Sequence, residues 1–161
     1  MQSIRKDLEE FQGQLKYGTI VRAYRAQISY MMGLQSHFKK KYTNSSVSAL
    51  YQGYMDMTYF AISPPLLKEH DLKCAIVFNY ESFFFKAWLA GRNRSVNRQY
   101  WELFKDQKLS KYRIVTPAKG VDSIVECDLA QGLDLSDADS LTTTIEKGTR
   151  AFIEDLERFL I

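Results

Sequence analysis

Between Tyr51 and Gly91 three β-prone runs follow one another with almost no room for a helix, and any fold for this chain has to set them side by side. The first, Tyr54 to Ile62, sends Met55, Met57, Tyr59 and Ala61 to one face and Tyr54, Asp56, Thr58, Phe60 and Ile62 to the other. Both sets are largely apolar. That predicts a strand covered on two sides, with Asp56 as a buried carboxylate that needs a partner. Ser63-Pro64-Pro65 ends the run, because prolines remove backbone donors and fix φ. A short crossing segment, Leu66 to His70, leads to a second strand, Leu72 to Tyr80. A connection of hairpin length at Asn79 to Ser82 leads to a third, Phe83 to Ala90.

Helical periodicity flanks this block on either side. Ile4, Leu8, Phe11 and Leu15 form one apolar stripe of a first helix that stops near Tyr17-Gly18. Thr19 can cap a second helix, whose apolar positions run from Ile20 to Phe38 and whose last turn gathers Lys39, Lys40 and Lys41 at the negative end of its dipole. Val47 to Tyr51 reads as one further helical turn. Downstream, Ser95 opens a helix running to about Lys105, Lys111 to Thr116 and Ser123 to Ala130 form a second hairpin, and Ser136 caps a closing helix. The order α-α-β-β-β-α-β-β-α describes one α+β domain spanning residues 1–161, with a mostly antiparallel sheet of about five strands packed with helices.

Fourteen per cent of the residues are aromatic, which predicts an aromatic-rich core. No apolar run reaches the roughly 18–20 residues of a membrane span, and charges from Arg5 onward interrupt any leader-like segment, so a cytoplasmic protein without membrane contact is expected. Cys74 and Cys127 each sit inside a β-prone run without a metal-ligand spacing, as two reduced thiols would. Residues 92–119 carry eight Lys and Arg against two Asp and Glu, while residues 120–161 carry three against ten. An electropositive middle and an acidic tail can neutralise each other or face different partners.

Three constellations compete for chemistry. A helix, three strands, a helix and a strand is also the core order of restriction-endonuclease-like nucleases. Asp71 and Lys86 would fill two of their positions, but Phe84 stands where a metal-binding acid belongs, and Asp56 or Glu81 could replace it only in a rearranged site. A second reading is a pocket for a small polar or cationic molecule lined by Tyr51, Tyr54, Asp56, Lys86 and Trp88, with Arg92 available for an anionic group. Alternatively, Asp56 is a structural ion pair or a carboxylate bonded to a loop. The third is a nucleic-acid surface built on Arg94, Arg98 and Trp101. An Arg98–Glu102 pair on one helix side and a pI near 8.8 argue against it. His37 and His70 lack a positioned catalytic partner, and glycine-rich phosphate loops and metal-ligand motifs are absent, so no catalytic residue, cofactor or metal is assigned.

The run SVSALYQGYMDMTYFAISPPLLKEHDLKCAIVFNYESFFFKAWLAGRNR, continued by QYWELFK and closed by EKGTRAFIEDLERFL, resembles a family of bacterial proteins of about this length classed as a domain of unknown function. The resemblance covers nearly the whole chain. It implies a single domain and a bacterial source, and brings no activity, cofactor or site residue with it. The sequence thus points to a protein that binds a small polar ligand or a protein partner through a cleft near Asp56, with a homo-oligomer as a further option for its partner and a degenerate nuclease or other hydrolase as the enzymatic alternative.

Overall fold

The computed structural model describes residues 3–161. The central block forms strands β2 (Met57–Ser63), β3 (Leu72–Asn79) and β4 (Phe84–Gly91), paired antiparallel with Ala61 opposite Ala75 and Ala75 opposite Trp88. Short strand β1 (Ser46–Val47) adds to β2, and β6 (Val125–Gln131) with β5 (Arg113–Ile114) adds to β4. The result is a sheet of six strands in the order β1-β2-β3-β4-β6-β5, antiparallel throughout. Beyond β1 the chain does not make the expected helical turn. Tyr51 instead bridges to Tyr59, because that stretch gains more by satisfying the outer edge of β2 than by forming one isolated turn.

Five helices complete the order: α1 (Ile4–Tyr17), α2 (Thr19–Lys41), α3 (Pro65–Glu69), α4 (Arg94–Phe104) and α5 (Ala138–Glu157). Three caps differ from expectation. Gly18 rather than Thr19 precedes α2, Asn93 rather than Ser95 caps α4 by accepting from the Val96 N–H at 3.0 Å, and Asp137 rather than Ser136 caps α5. In each case the capping position lies one or two residues earlier or later than the sequence placed it, within the ordinary uncertainty of a helix end.

The sheet has unequal faces. Phe60, Ile62, Cys74, Ile76, Phe78, Phe85, Ala87 and Leu89 point to one side, where they meet Met31, Leu34 and Phe38 of α2, Tyr100 and Phe104 of α4, and Ile145, Phe152 and Leu156 of α5. Six phenylalanines are fully buried there, so the core is as aromatic as the composition implies. Cys74 is buried and Cys127 half-buried, both free, and burial pushes both thiols up, Cys127 to about 11. The other face carries Ala61, Ala75, Val77 and Ala90, small residues outside that core cluster, flanked by Tyr59, Trp88 and Lys86. It is therefore covered by its own long side chains and by loops, whereas the sequence implied a second covering layer.

Polar links close the helical side. Glu146 of α5 is buried and takes His37 Nε2 at 2.7 Å, Lys41 Nζ at 2.6 Å and the Tyr42 hydroxyl at 2.5 Å, all from the end of α2. Tyr30 and Thr142 share a further hydrogen bond of 2.9 Å between the same helices. The basic last turn of α2 thus serves α5 as well as its own dipole.

α1 stands apart. Ser3 caps it and Gly18 ends it at φ 89°, but none of its residues is buried, and Ile4, Leu8, Phe11 and Leu15 remain exposed. No helix among the described residues is long and apolar enough to cross a membrane.

Candidate functional site

Where β2, β3 and β4 run beneath the start of α4, the face of the sheet outside the main core opens into a cleft of ≈ 330 Å³. Ala75 and Ala90 make its floor because their short side chains leave room between neighbouring strands. Tyr51 and Tyr59 stand on the β2 side, their rings 5.0 Å apart, and Trp88 rises from β4 directly across from Ala75. Arg92, Asn93, Arg94 and Asn97 form the opposite wall, and Lys73 and Asp122 reach it from β3 and from the loop before β6.

The wall is built on one amide. Asn97 Oδ1 accepts from the Gly91 N–H at 2.6 Å, and Asn97 Nδ2 donates to the Asp122 carbonyl at 3.3 Å, which pins α4 to both the end of β4 and the β5–β6 loop. This brings the N-terminal, electropositive end of α4 to the cleft. Lys73, Arg92 and Arg94 add three cations against the single carboxylate of Asp122, and Arg92 shares its charge with Asp71 at 3.4 Å. Against that charge, the Trp88 indole N–H is buried and has no hydrogen-bond partner. Buried donors are almost always satisfied, so a lone one beside a cleft marks a place for an acceptor.

Of the site residues expected from sequence, Tyr51, Trp88 and Arg92 come together here. Asp56 does not. It sits in the turn before β2, exposed, and its carboxylate accepts the Tyr54 N–H at 2.9 Å. The backbone N–H groups of Tyr54 and then Met57 hold its carboxyl below the usual range. It is the loop-bonded carboxylate of the alternative reading, and it does not line the cleft. The error has a simple cause: alternation continues through Tyr54-Met55-Asp56, but Met55 adopts φ 63° and the strand begins only at Met57. Asp56→Asn, which keeps the accepting oxygen, is expected to move the melting temperature by less than about 3 °C. Differential scanning calorimetry checks this, and a large loss would restore a structural ion pair.

Tyr54 is also in solvent, 88% exposed. Lys86 is directed elsewhere, toward Asp128 of β6 at 3.5 Å, in a shallow depression with Tyr112 and Arg113. Asp71 precedes β3 beside the Gly91 end of β4, whereas Lys86 pairs with Val77, six residues beyond Asp71, about 20 Å away at the rise of a strand. The two nuclease-like positions are therefore not brought to one place.

Arg94, Arg98 and Trp101 do share a concavity of ≈ 260 Å³, between α4 and the loop carrying Lys119, which adjoins the cleft through Arg94 and Asn97. Glu102 pairs with Lys105 at 2.5 Å, not with Arg98, and the Lys105 ammonium lies 5.2 Å from the centre of the Trp101 ring, occupying one stacking face. Lys73 and Asn97 escaped the sequence reading. Lys73 left a trace, as the only cation in the alternating set Lys73, Ala75, Val77, Asn79, whereas the two bonds of Asn97 exist only once α4 has packed.

No curated protein and no solved structure matches the chain. The sequence model of a domain of unknown function, DUF7000, matches residues 4–160, and the chain belongs to that family.

Proposed function

We propose that this protein binds a small anion bearing a flat ring, a ringed carboxylate or phosphate, in the cleft between Tyr51, Trp88 and Arg94. The carrying observation is the buried, unpartnered N–H of Trp88, a residue that lines the same cleft as Lys73, Arg92, Arg94 and the N-terminus of α4. The cations and helix end favour negative charge, the indole donor asks for an acceptor, and the two tyrosine rings with Trp88 offer flat apolar area. A volume of ≈ 330 Å³ lies at the small end of the roughly 300–1,000 Å³ typical of small-molecule sites. The cationic molecule expected from Asp56 finds no support in this charge balance.

The test uses Trp101→Phe protein, so that Trp88 is the sole fluorophore of its kind. Benzoate, adenosine 5′-monophosphate and inorganic phosphate serve as probes. At least one ringed anion is expected to quench Trp88 emission and raise the melting temperature. Arg94→Ala and, in thermal shift, Trp88→Phe should weaken it by about tenfold to a hundredfold, the worth of one charge-assisted hydrogen bond. Arg98→Ala should leave it unchanged, since Arg98 lines only the neighbouring concavity. Silence from all the ringed probes refutes the reading. Single-stranded oligonucleotide binding that falls steeply with salt and is lost in Arg98→Ala would favour a nucleic-acid surface instead.

A further inference from the structure

A further concavity, ≈ 400 Å³ and mostly apolar, lies between the first turns of α2, the β3–β4 turn and the segment after β6. Ile20, Tyr24, Met55, Phe83 and Leu133 line it, and four of these, Ile20, Met55, Phe83 and Leu133, are exposed. Three of its features ask for an occupant. Gln27 is buried in its wall and its Nε2 donor has no partner. Met55 and Phe83 hold φ of 63° and 58°, two of the three non-glycine residues with positive φ among those described. Such backbone is costly for bulky side chains, and here it is spent on presenting two apolar groups outward.

The same chain carries a matching convex surface. On α1, Ile4, Leu8, Phe11 and Leu15 form one stripe, exposed between 46% and 72%, and Asp7 and Gln12 flank it with acceptor oxygens that could meet Gln27. The stripe cannot reach its own groove. Gly18 alone joins α1 to α2, while helices that fold back on each other use connections of about 2–8 residues, and the groove begins at Ile20. Reversal would unwind the first turn of α2.

We infer that α1 of one molecule docks in the apolar groove of a second copy, whose own α1 fills the groove of the first, giving a reciprocal two-fold dimer. A helix about 21 Å long and 10 Å across buries roughly 350 Å² on each side of one such contact, so the exchanged pair covers roughly 1,400 Å², inside the ~1,200–2,000 Å² of stable interfaces. One contact alone would fall short.

Sedimentation velocity of the full chain at high micromolar concentration should show a dimer. Leu8→Asp with Phe11→Asp on α1, or Ala23→Asp in the groove, should each weaken association by more than about a hundredfold. These positions are exposed, so the variants are expected to keep the wild-type circular dichroism spectrum. Mixing the α1 variant with the groove variant should restore weak association, because the mixture rebuilds one intact contact of the two. A wild-type monomer overturns the inference, whether α1 is free, folded back or reserved for another protein. So does a dimer that survives either variant, which would place the interface elsewhere.

Discussion

Glu146→Ala is expected to lower stability by about 3 kcal/mol and the melting temperature by roughly 6–12 °C, although Glu146 does not line the cleft. The residue is one carboxylate serving three donors, and its side chain is only 10% exposed. Burial by itself would raise its carboxyl; the hydrogen bonds from Lys41, Tyr42 and His37, with the Lys41 charge, outweigh burial and lower it to about 2. Removing it unties the end of α2 from the middle of α5. His37 and Lys41 are partly exposed and can rehydrate, which keeps the loss nearer the lower end of what breaking a buried ion pair costs. The pH dependence has a definite sign. A carboxyl depressed in the folded state stabilises fully above its ordinary value of 4.5, and the contribution is lost as pH falls toward about 2. Melting temperatures from neutral pH down to about 2 should therefore fall more steeply for the wild type than for Glu146→Gln. Superimposable acid profiles would show that the cluster contributes nothing.

The middle of the sequence disclosed the sheet because alternation is a local signal: Leu72 to Asn79 and Phe84 to Gly91 carry it almost undisturbed. What it could not disclose was what covers each face. Ala75, Val77 and Ala90 look like residues under a second helical layer, yet they are shielded by neighbours across the strands, and that difference is what leaves a cleft. α1 shows the converse. Its stripe has the period of a core-facing helix, and the period was right, but no other described residue buries it. Tyr51, Trp88 and Arg92, singled out by their types, rings and a cation near β-strand ends, do line one cleft. Asp56 was misplaced by three residues of apparent alternation, and Asn97 was invisible because its role depends on two backbone groups from distant segments. Local chemistry was legible; the meeting of distant pieces was not.

Gly53→Ala is expected to cost about 2–4 kcal/mol and to abolish the proposed binding of a ringed anion in the cleft, because the residue faces two separate obstacles. Gly53 holds φ 76°, and a Cβ built there would lie 1.8 Å from the Met57 carbonyl oxygen. The close approach exists because residues 51–58 double back on β2. Tyr51 and Tyr59 exchange both backbone hydrogen bonds, at 2.8 and 2.9 Å, and Thr58 Oγ1 donates to the Gln52 carbonyl at 2.7 Å. Tyr51 can stand on the cleft wall only while that reversal stays closed. Two comparisons separate the obstacles. Gly120 holds φ 79° with nothing within 4 Å of a built Cβ, so Gly120→Ala should lose only the left-handed backbone penalty, about 1–2 kcal/mol. Asn tolerates positive φ, yet Gly53→Asn should cost nearly as much as Gly53→Ala, since its Cβ meets the same carbonyl. Urea unfolding of the three variants ranks these costs, and Trp88 fluorescence in the same proteins reads the cleft. If Gly53→Asn recovers wild-type stability, backbone conformation alone explains the glycine and the tight reversal is not what shapes the Tyr51 wall.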